Sequence, residues 1–499
     1  MIRNYKVFYF GLAGLVLAAL VRHVGTLASV LDVSFPIAES LPSFGIFAGI
    51  AIVIVSLSLL PLEGLRSGET SRKGPSREFK RESLSEVAKH VERLAGEPKP
   101  DIPRLVDYTF FQAIAAGASD IHFDPSRRGF TVRFRIDGMM SDIAQIPAGL
   151  TGLISNRIKV LSNLVVYQGF LPQDGRLGGG KSDSGLSRDR PSEAGTDFRV
   201  AFMPTLHGER IVIRILGRSG SAFDFAELGM TEAQREMMSR FLSEPQGMIV
   251  LTGPTGSGKT TTIYAALRAI QDQALSVRSI STLEDPIEYE IRGINQSQVD
   301  EKKNFTFSRG LRALLRQDPD VILVGEIRDQ ETAAIAIQAG MTGHLIISTV
   351  HANSSAAAFS RLLEMGVAPY SLNSAVTAVI AQRLVRRLCT ACRRSRPMNT
   401  AECELLGLNP GDAQFNVYES AGCSGCQGTG FQGRYALFEF LEVTETVRSL
   451  IAEGASADAV YARAKADGML SLYEMGIEAV KSGITTPNEI ARSVVRERR

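Results

Sequence analysis

The rhythm of apolar and polar residues changes along this chain, and each change marks a part of it. Two long apolar runs come first, Val7–Val21 and Ser43–Leu62, and neither contains an acidic or basic residue. The second has about the length a helix needs to cross ~30 Å of hydrocarbon. The first is shorter, with Lys6 and Arg22 able to snorkel at its ends. Residues 63–100 turn polar and charged, the composition of a tether. "IPRLVDYTFFQAIAAGA" then has a helical period, and Phe130–Asp137 alternates like a strand. A Gly/Ser-rich loop over 178–196 precedes two more strand-like runs, "DFRVAFMP" and "RIVIRIL". Residues 101–217 therefore read as a small α/β domain. After the short linker "GRSGSA", the runs "MIVL", "VILV" and "LIISTV" alternate with helices across 221–388. That is the rhythm of a parallel sheet covered on both faces. A cysteine-bearing insertion occupies 389–435, and 436–499 reads as mostly amphipathic helix.

The two apolar runs predict a transmembrane hairpin over 1–62. A signal peptide competes for the first run, because Arg3 and Lys6 precede it, but no convincing small-x-small cleavage site follows. A buried core helix competes for the second. Arg66, Arg72, Lys73, Arg77, Lys80 and Arg81 follow the second run, whereas the loop between the runs sets Arg22 against Asp32 and Glu39. The positive-inside rule then puts the C-terminal body in the cytosol. Without an ionisable residue inside either run no ion pathway is suggested, which argues against a transporter. The net charge of +2 over 499 residues is no electrostatic footprint for nucleic acid.

"GPTGSGKT" fits the G-x-x-x-x-G-K-[ST] pattern, with the strand "MIVL" before it and the helix "TTTIYAALRAI" after it. Gly253, Pro254, Thr255, Gly256, Ser257, Gly258, Lys259, Thr260 and Thr261 are the predicted nucleotide contacts. The glycines aim backbone N–H groups at phosphate, and Lys259 reaches the β- and γ-phosphates. Thr260 ligates Mg2+. Three polar clusters, 281–290, 321–329 and 342–354, sit at predicted strand ends and should surround the same phosphates. Hydrolysis of ATP needs one carboxylate to orient water and another group near the metal. Glu284 and Glu326 are the pair, with their roles undivided. His344 and His351 flank one strand and are candidate γ-phosphate sensors. Arg309, Arg312 and Arg316 fall at i, i+3 and i+7 on one helical face, where guanidinium groups suit γ-phosphate. A solvated basic face is the competing reading for them.

There are five cysteines. Cys389-x-x-Cys392 and Cys423-x-x-Cys426 have the spacing of a tetrahedral Zn2+ site. Paired disulfides compete, against the reducing compartment. Cys403 has no partner at ligand spacing.

On these motifs the chain resembles the secretion ATPase superfamily that powers type II secretion and type IV pilus assembly. That family has a Walker A loop, an aspartate box, a Walker B strand ending in Gly-Glu, and a histidine box. Here they read "GPTGSGKT", "EDPIE", "LVGEIRD" and "AGMTGHL…TVHAN", in that order, within a resemblance spanning 101–499. "ASDIHFDP", "VRFRIDG", "PQDGR" and "MPTLHGERIVIRIL" resemble the family's PAS-like N-terminal domain. In relatives that domain lends arginines to the ATP site, and Arg176 and Arg199 hold the matching positions, with a lengthened loop between them.

The resemblance implies a RecA-like P-loop core behind a PAS-like α/β domain, working as a homohexamer on Mg-ATP. It implies an inner-membrane platform protein, contacted by the zinc module, through which pilin or pseudopilin subunits are lifted. The tetracysteine site implies an extension-type motor, since retraction ATPases generally lack it. Relatives are recruited through an extra N-terminal domain, and the hairpin is expected to replace it. That expectation makes the chain a multi-pass protein of the inner membrane with its ATPase body in the cytoplasm. Two other readings compete. A DNA-translocating RecA-type motor of a conjugation or uptake system is opposed by the near-neutral charge, so no nucleic acid is expected. A nucleotide-binding regulator without turnover is opposed by Lys259, Glu284 and Glu326.

Overall fold

The computed structural model describes residues 79–178, 196–216, 224–272, 278–409, 411 and 415–494. The expected hairpin lies outside the described residues. Among them, no helix is long and apolar enough to cross a membrane.

The segment read as a tether is not all tether. Within it, Leu84–Ala95 is a helix that opens on a capping box between Ser83 and Glu86. Val87, Val91 and Leu94 share one face and are buried. The charged residues between them hide this stripe from a reading by composition.

Strands β1 (Ala118–Ser126), β2 (Gly129–Ile136), β3 (Met139–Pro147), β4 (Gln173–Leu177), β5 (Asp197–Thr205) and β6 (Gly208–Leu216) form one antiparallel sheet. Their order is β3-β2-β1-β6-β5-β4. One face packs Phe123, Phe130, Phe134, Phe198 and Phe202 against the helices Ile102–Ala115 and Ala148–Leu161. The opposite face is charged. Its register aligns Arg176, Arg199, Arg214, Asp120 and Arg135 in one row across β4, β5, β6, β1 and β2. Neighbouring like charges repel. Asp120 relieves part of this row, lying 3.2 Å from Arg214 Nε and 3.6 Å from Arg135 Nε.

The second sheet contains β7 (Gly247–Thr252), β8 (Ile280–Glu284), β9 (Asn295–Gln298), β10 (Val321–Val324), β11 (Leu345–Val350) and β12 (Val376–Leu388). A short ribbon of β13 (Arg393–Pro397) and β14 (Asn416–Ser420) follows, and then β15 (Phe431–Glu442) returns to the main sheet. The order is β15-β12-β7-β11-β10-β8-β9. All neighbours are parallel except β12 and β15. β7, β8, β10 and β11 are buried at every position, which explains the apolar runs of β7, β10 and β11, whereas β8 buries Ser281, Thr282 and Glu284 as well.

β15 crosses the expected boundary between the cysteine insertion and the helical end. It pairs with β12 from Ala378↔Glu442 to Leu388↔Phe431. The cysteine segment is therefore an excursion at the tip of a core strand pair. "ALFEFL" is a short apolar run, and periodicity cannot separate a buried strand from a buried helix at that length.

Candidate functional site

The phosphate loop lies between β7 and the helix Lys259–Asp272. Gly253, Gly256 and Gly258 have φ of 147°, 78° and 89°. A Cβ on Gly253 would lie 2.5 Å from the Gln382 carbonyl oxygen, so close approach to β12 demands glycine. The buried Ser257 Oγ has no hydrogen-bond partner. Lys259 Nζ donates to the carbonyls of Gly253 at 2.7 Å and Pro254 at 3.2 Å. Burial holds its ammonium below the usual lysine range, Arg383 adds to this, and Glu326 opposes it. Pro254, Thr255, Gly256 and Thr260 are exposed on the rim, with Thr261 partly covered. A cation at a helix N-terminus beside free N–H groups and an unsatisfied hydroxyl fits a nucleotide's phosphates.

The two candidate carboxylates differ sharply. Glu326 follows β10 and faces the open end of the sheet. Its Oε1 lies 3.0 Å from His351 Nε2, and its Oε2 accepts from Arg328 at 2.9 Å. Arg328 also lies 3.7 Å from Asp285 of the aspartate box. Glu284 ends β8 and is 4% exposed. It accepts from the Tyr264 hydroxyl, from Thr282 Oγ1 at 2.6 Å and from Gln296 Nε2 at 3.1 Å.

The histidines do not sit together. His344 precedes β11, and its carbonyl accepts from Gly247 N at the start of β7. Its Nδ1 lies 3.2 Å from the Ala339 carbonyl oxygen. The phosphate loop leaves the other end of β7. His344 and His351 are thus separated by the length of β11, roughly 20 Å at about 3.3 Å per residue. A strand carries flanking residues to opposite ends, so His344 is removed from the phosphate end.

The arginine face is also less regular than its spacing implies. The helix Phe307–Leu314 ends before Arg316. Arg309 donates to Asn304 O, Arg312 to Glu331 Oε1 at 3.1 Å, and Arg316 to Arg312 O at 2.8 Å. Arg312 and Arg316 are held locally on the surface.

The first domain does approach the core. Arg176 and Arg199 are cross-strand partners on β4 and β5. Burial pulls the Arg199 guanidinium below its ordinary value, aided by Arg176 and Arg214, while Glu288 and Asp285 oppose. Arg199 therefore shares an electrostatic environment with the aspartate box of its own chain. Gly433 N also donates to Asp137 Oδ2 at 3.0 Å, joining the β2–β3 turn to β15.

Two residues absent from the sequence prediction belong to this site. Arg383 of β12 is 7% exposed and donates to Gln382 O at 3.0 Å and Asn353 O at 2.7 Å. Thr252 completes the seam, accepting from Ala352 N at 2.9 Å and donating to its carbonyl at 3.0 Å. The loop bearing His351 is thereby stitched to both strands beneath the phosphate loop. An arginine inside "AVIAQRLV" was the available signal, because a buried strand does not carry a cation without use. Tyr264 is the second residue. It is the lone aromatic of its helix, and it binds Glu284.

The four cysteines converge as their spacing requires. Their sulfurs all lie within 4.8 Å of one another. The pairs Cys389–Cys423 and Cys392–Cys426 are 3.8 Å apart, and Cys423–Cys426 is 3.7 Å. A tetrahedral site with bonds of about 2.3 Å separates its sulfurs by about 3.8 Å, so the set fits zinc. Burial raises the Cys426 thiol, but N–H donors from Cys423 and Gly430 outweigh it and bring it down to about 6, whereas burial lifts the Cys389 thiol to about 11. A thiolate is what a metal needs. Cys403 is buried in the helix Thr400–Leu406, outside the cluster.

Residues 97–492 match the family described as "Type II/IV secretion system protein". The chain is 41% identical over 406 residues to "Type II secretion system protein E" of Pseudomonas aeruginosa, covering 80% of this chain and 77% of that protein. It is 38% identical over 422 residues to "Type IV pilus assembly ATPase PilB" of Thermus thermophilus, covering 82% of this chain but 46% of that longer protein. Among solved structures, the Legionella pneumophila ATPase DotB superposes with a TM-score of 0.58 at 19% identity, over 79% of this chain and 96% of DotB. That likeness speaks to the fold alone.

Proposed function

The chain belongs to the type II/IV secretion system protein family, and from that premise we propose that it is a Mg-dependent ATP hydrolase driving assembly of a type II pseudopilus or a type IV pilus. The observation that carries this reading is a convergence at one end of the core sheet. There the loop lysine Lys259, the Glu326–His351 pair and the histidine loop stitched by Thr252 and Arg383 meet.

The loop N–H groups and Lys259 bind the ATP phosphates, and Thr260 offers its hydroxyl to Mg2+, which when bound neutralises charge on the β- and γ-phosphates. Glu326, facing Lys259 and His351, takes the γ-phosphate side. Glu284 supplies the water-orienting carboxylate from beneath. His351 follows the γ-phosphate through Glu326. Arg176 and Arg199 close from the PAS-like domain as the charge develops. In a homohexamer the exposed Arg312 and Arg316 reach a neighbouring subunit's nucleotide. Cys389, Cys392, Cys423 and Cys426 would hold zinc, which would cross-link the tip of the β12–β15 pair. The work stroke passes to an inner-membrane platform protein and on to pilin or pseudopilin. The apolar runs within 1–62 anchor the ATPase body to the inner membrane from its cytoplasmic side.

The test is Mg-ATP turnover of the full chain in detergent, with Lys259→Ala as control and duplex DNA as additive. Turnover that needs Lys259 and ignores DNA is the expected result. Strong stimulation by DNA would replace the assembly motor with a translocase, and a wild-type chain without turnover would remove the hydrolase.

A further inference from the structure

Glu284 is the most heavily bonded acid at the site. Thr282 and Gln296 serve its Oε1, and the Tyr264 hydroxyl serves its Oε2. Tyr264 itself is fully buried, on the helix that begins at Lys259. Its hydroxyl also accepts from Glu288 N at 3.3 Å, so one oxygen touches both ends of the aspartate box. The ring is fixed edge-on against Tyr289, centroid to centroid 4.6 Å. Gln296 closes the frame, donating to Tyr289 O at 3.2 Å. Burial, and then Glu284 beside it, push the Tyr264 phenol far up, so it stays protonated and can only donate to the carboxylate.

We propose that Tyr264 is a positioning residue for hydrolysis, transmitting the seating of the phosphate-loop helix to Glu284. This rests on Glu284 being the water-orienting carboxylate. The helix N-terminus that receives phosphate and the hydroxyl that aims Glu284 are five residues apart on one rigid element. A displacement of the loop on nucleotide binding therefore moves the Tyr264 hydroxyl, and with it the carboxylate. Thr282 lies on Glu284's own strand and cannot carry that message. A core tyrosine that merely fills space would have no need of a hydroxyl bonded to a reacting group.

The experiment is a double-mutant cycle on the full chain. Tyr264→Phe keeps the ring and removes only the hydroxyl. Steady-state kcat and KM for Mg-ATP are measured for Tyr264→Phe, Glu284→Gln and the double variant, the slow ones by release of radiolabelled phosphate. Loss of a hydrogen bond to a charged group predicts a fall in kcat of about tenfold or more for Tyr264→Phe, with KM unchanged. In the Glu284→Gln background the same change is expected to cost nothing further, because residues acting as a unit are non-additive. An equal loss in both backgrounds, a change confined to KM, or a lowered Tm that accounts for the lost activity overturns the role of Tyr264. Full activity of Glu284→Gln overturns instead the assignment of Glu284 on which it rests.

Discussion

His351 Nε2 lies 3.0 Å from Glu326 Oε1, whereas His344, seven residues earlier, answers to Ala339 at the other end of β11. Of the two histidines of one box, only His351 thus lies at the end of the sheet where the phosphate loop leaves β7. His351→Ala is expected to lower kcat by about a hundredfold to a thousandfold, the range for removing one preorganised polar group from a reacting centre. His344→Ala is expected to leave kcat unchanged, which parallel ATPase assays on the two variants check. Equal losses would mean that the box acts as one unit.

Arg199 sits between Arg176 and Arg214 in a row of like charge and shares its field with Asp285 and Glu288. A guanidinium so placed gains most when phosphate charge arrives. Arg199→Ala is expected to cut kcat by about a hundredfold or more, in line with arginines that complete phosphoryl-transfer sites. Arg199→Lys should recover little, because an ammonium lacks the planar fork. Nucleotide affinity measured separately, with a fluorescent ATP analogue, should change far less than kcat.

The cysteine cluster makes a stoichiometric prediction. Purified protein should carry one zinc per chain by elemental analysis, and Cys389→Ser or Cys426→Ser should lose it. Cys403→Ser should keep it, since that thiol lies outside the cluster. Stripping the metal with a strong chelator should lower Tm, because metal binding contributes directly to folding free energy.

A buried ion pair fixes the helix Pro487–Ser493 to β12. Glu489 is 2% exposed and lies 2.7 Å from Arg386 and 2.8 Å from Arg492. Burial tends to raise this carboxyl, yet the two arginines outweigh it and hold it below the ordinary glutamate range. A depressed folded value adds stability above the unfolded value, and that stability is lost as pH falls through the folded one. Melting temperature should therefore drop in acid more steeply for the native chain than for Glu489→Gln. Arg386→Ala leaves a buried carboxylate with Arg492 as its one remaining cation and should cost about 1–3 kcal/mol at neutral pH.

The core was the most legible part of the sequence, for a physical reason. Central parallel strands are buried on both faces, so β7, β10 and β11 appear as unbroken apolar runs, and strand ends announce where a ligand sits. The phosphate loop and the cysteine pairs were legible because backbone and metal geometry fix their spacing. Spacing said nothing about direction along a strand, so His344 and His351 looked alike. It could not show that Glu284 is buried while Glu326 is only partly so, because the first is enclosed by Tyr264, Thr282 and Gln296 and the second is flanked by Arg328 and His351. The helix Leu84–Ala95 and strand β15 were hidden for opposite reasons. In the former, charge masks a narrow apolar stripe. In the latter, an apolar run is too short to declare its period.

Strand β12 has one more consequence. It carries Gln382 and Arg383 behind the phosphate loop, and a few residues later Leu388 hands the chain directly to Cys389. Over that stretch it is paired with β15 as far as Arg386 and again at Leu388, past a shift in register, and bound zinc would clamp both strands at the tip. An extended, doubly held strand is stiff along its length, so it behaves as a beam and not as a string. A nudge that nucleotide gives Gln382 is then expected to be felt at the cysteines. The rate at which a chelator withdraws zinc would then differ between ATP-loaded and ADP-loaded protein. That would make the metal a dial on which the state of a distant pocket can be read.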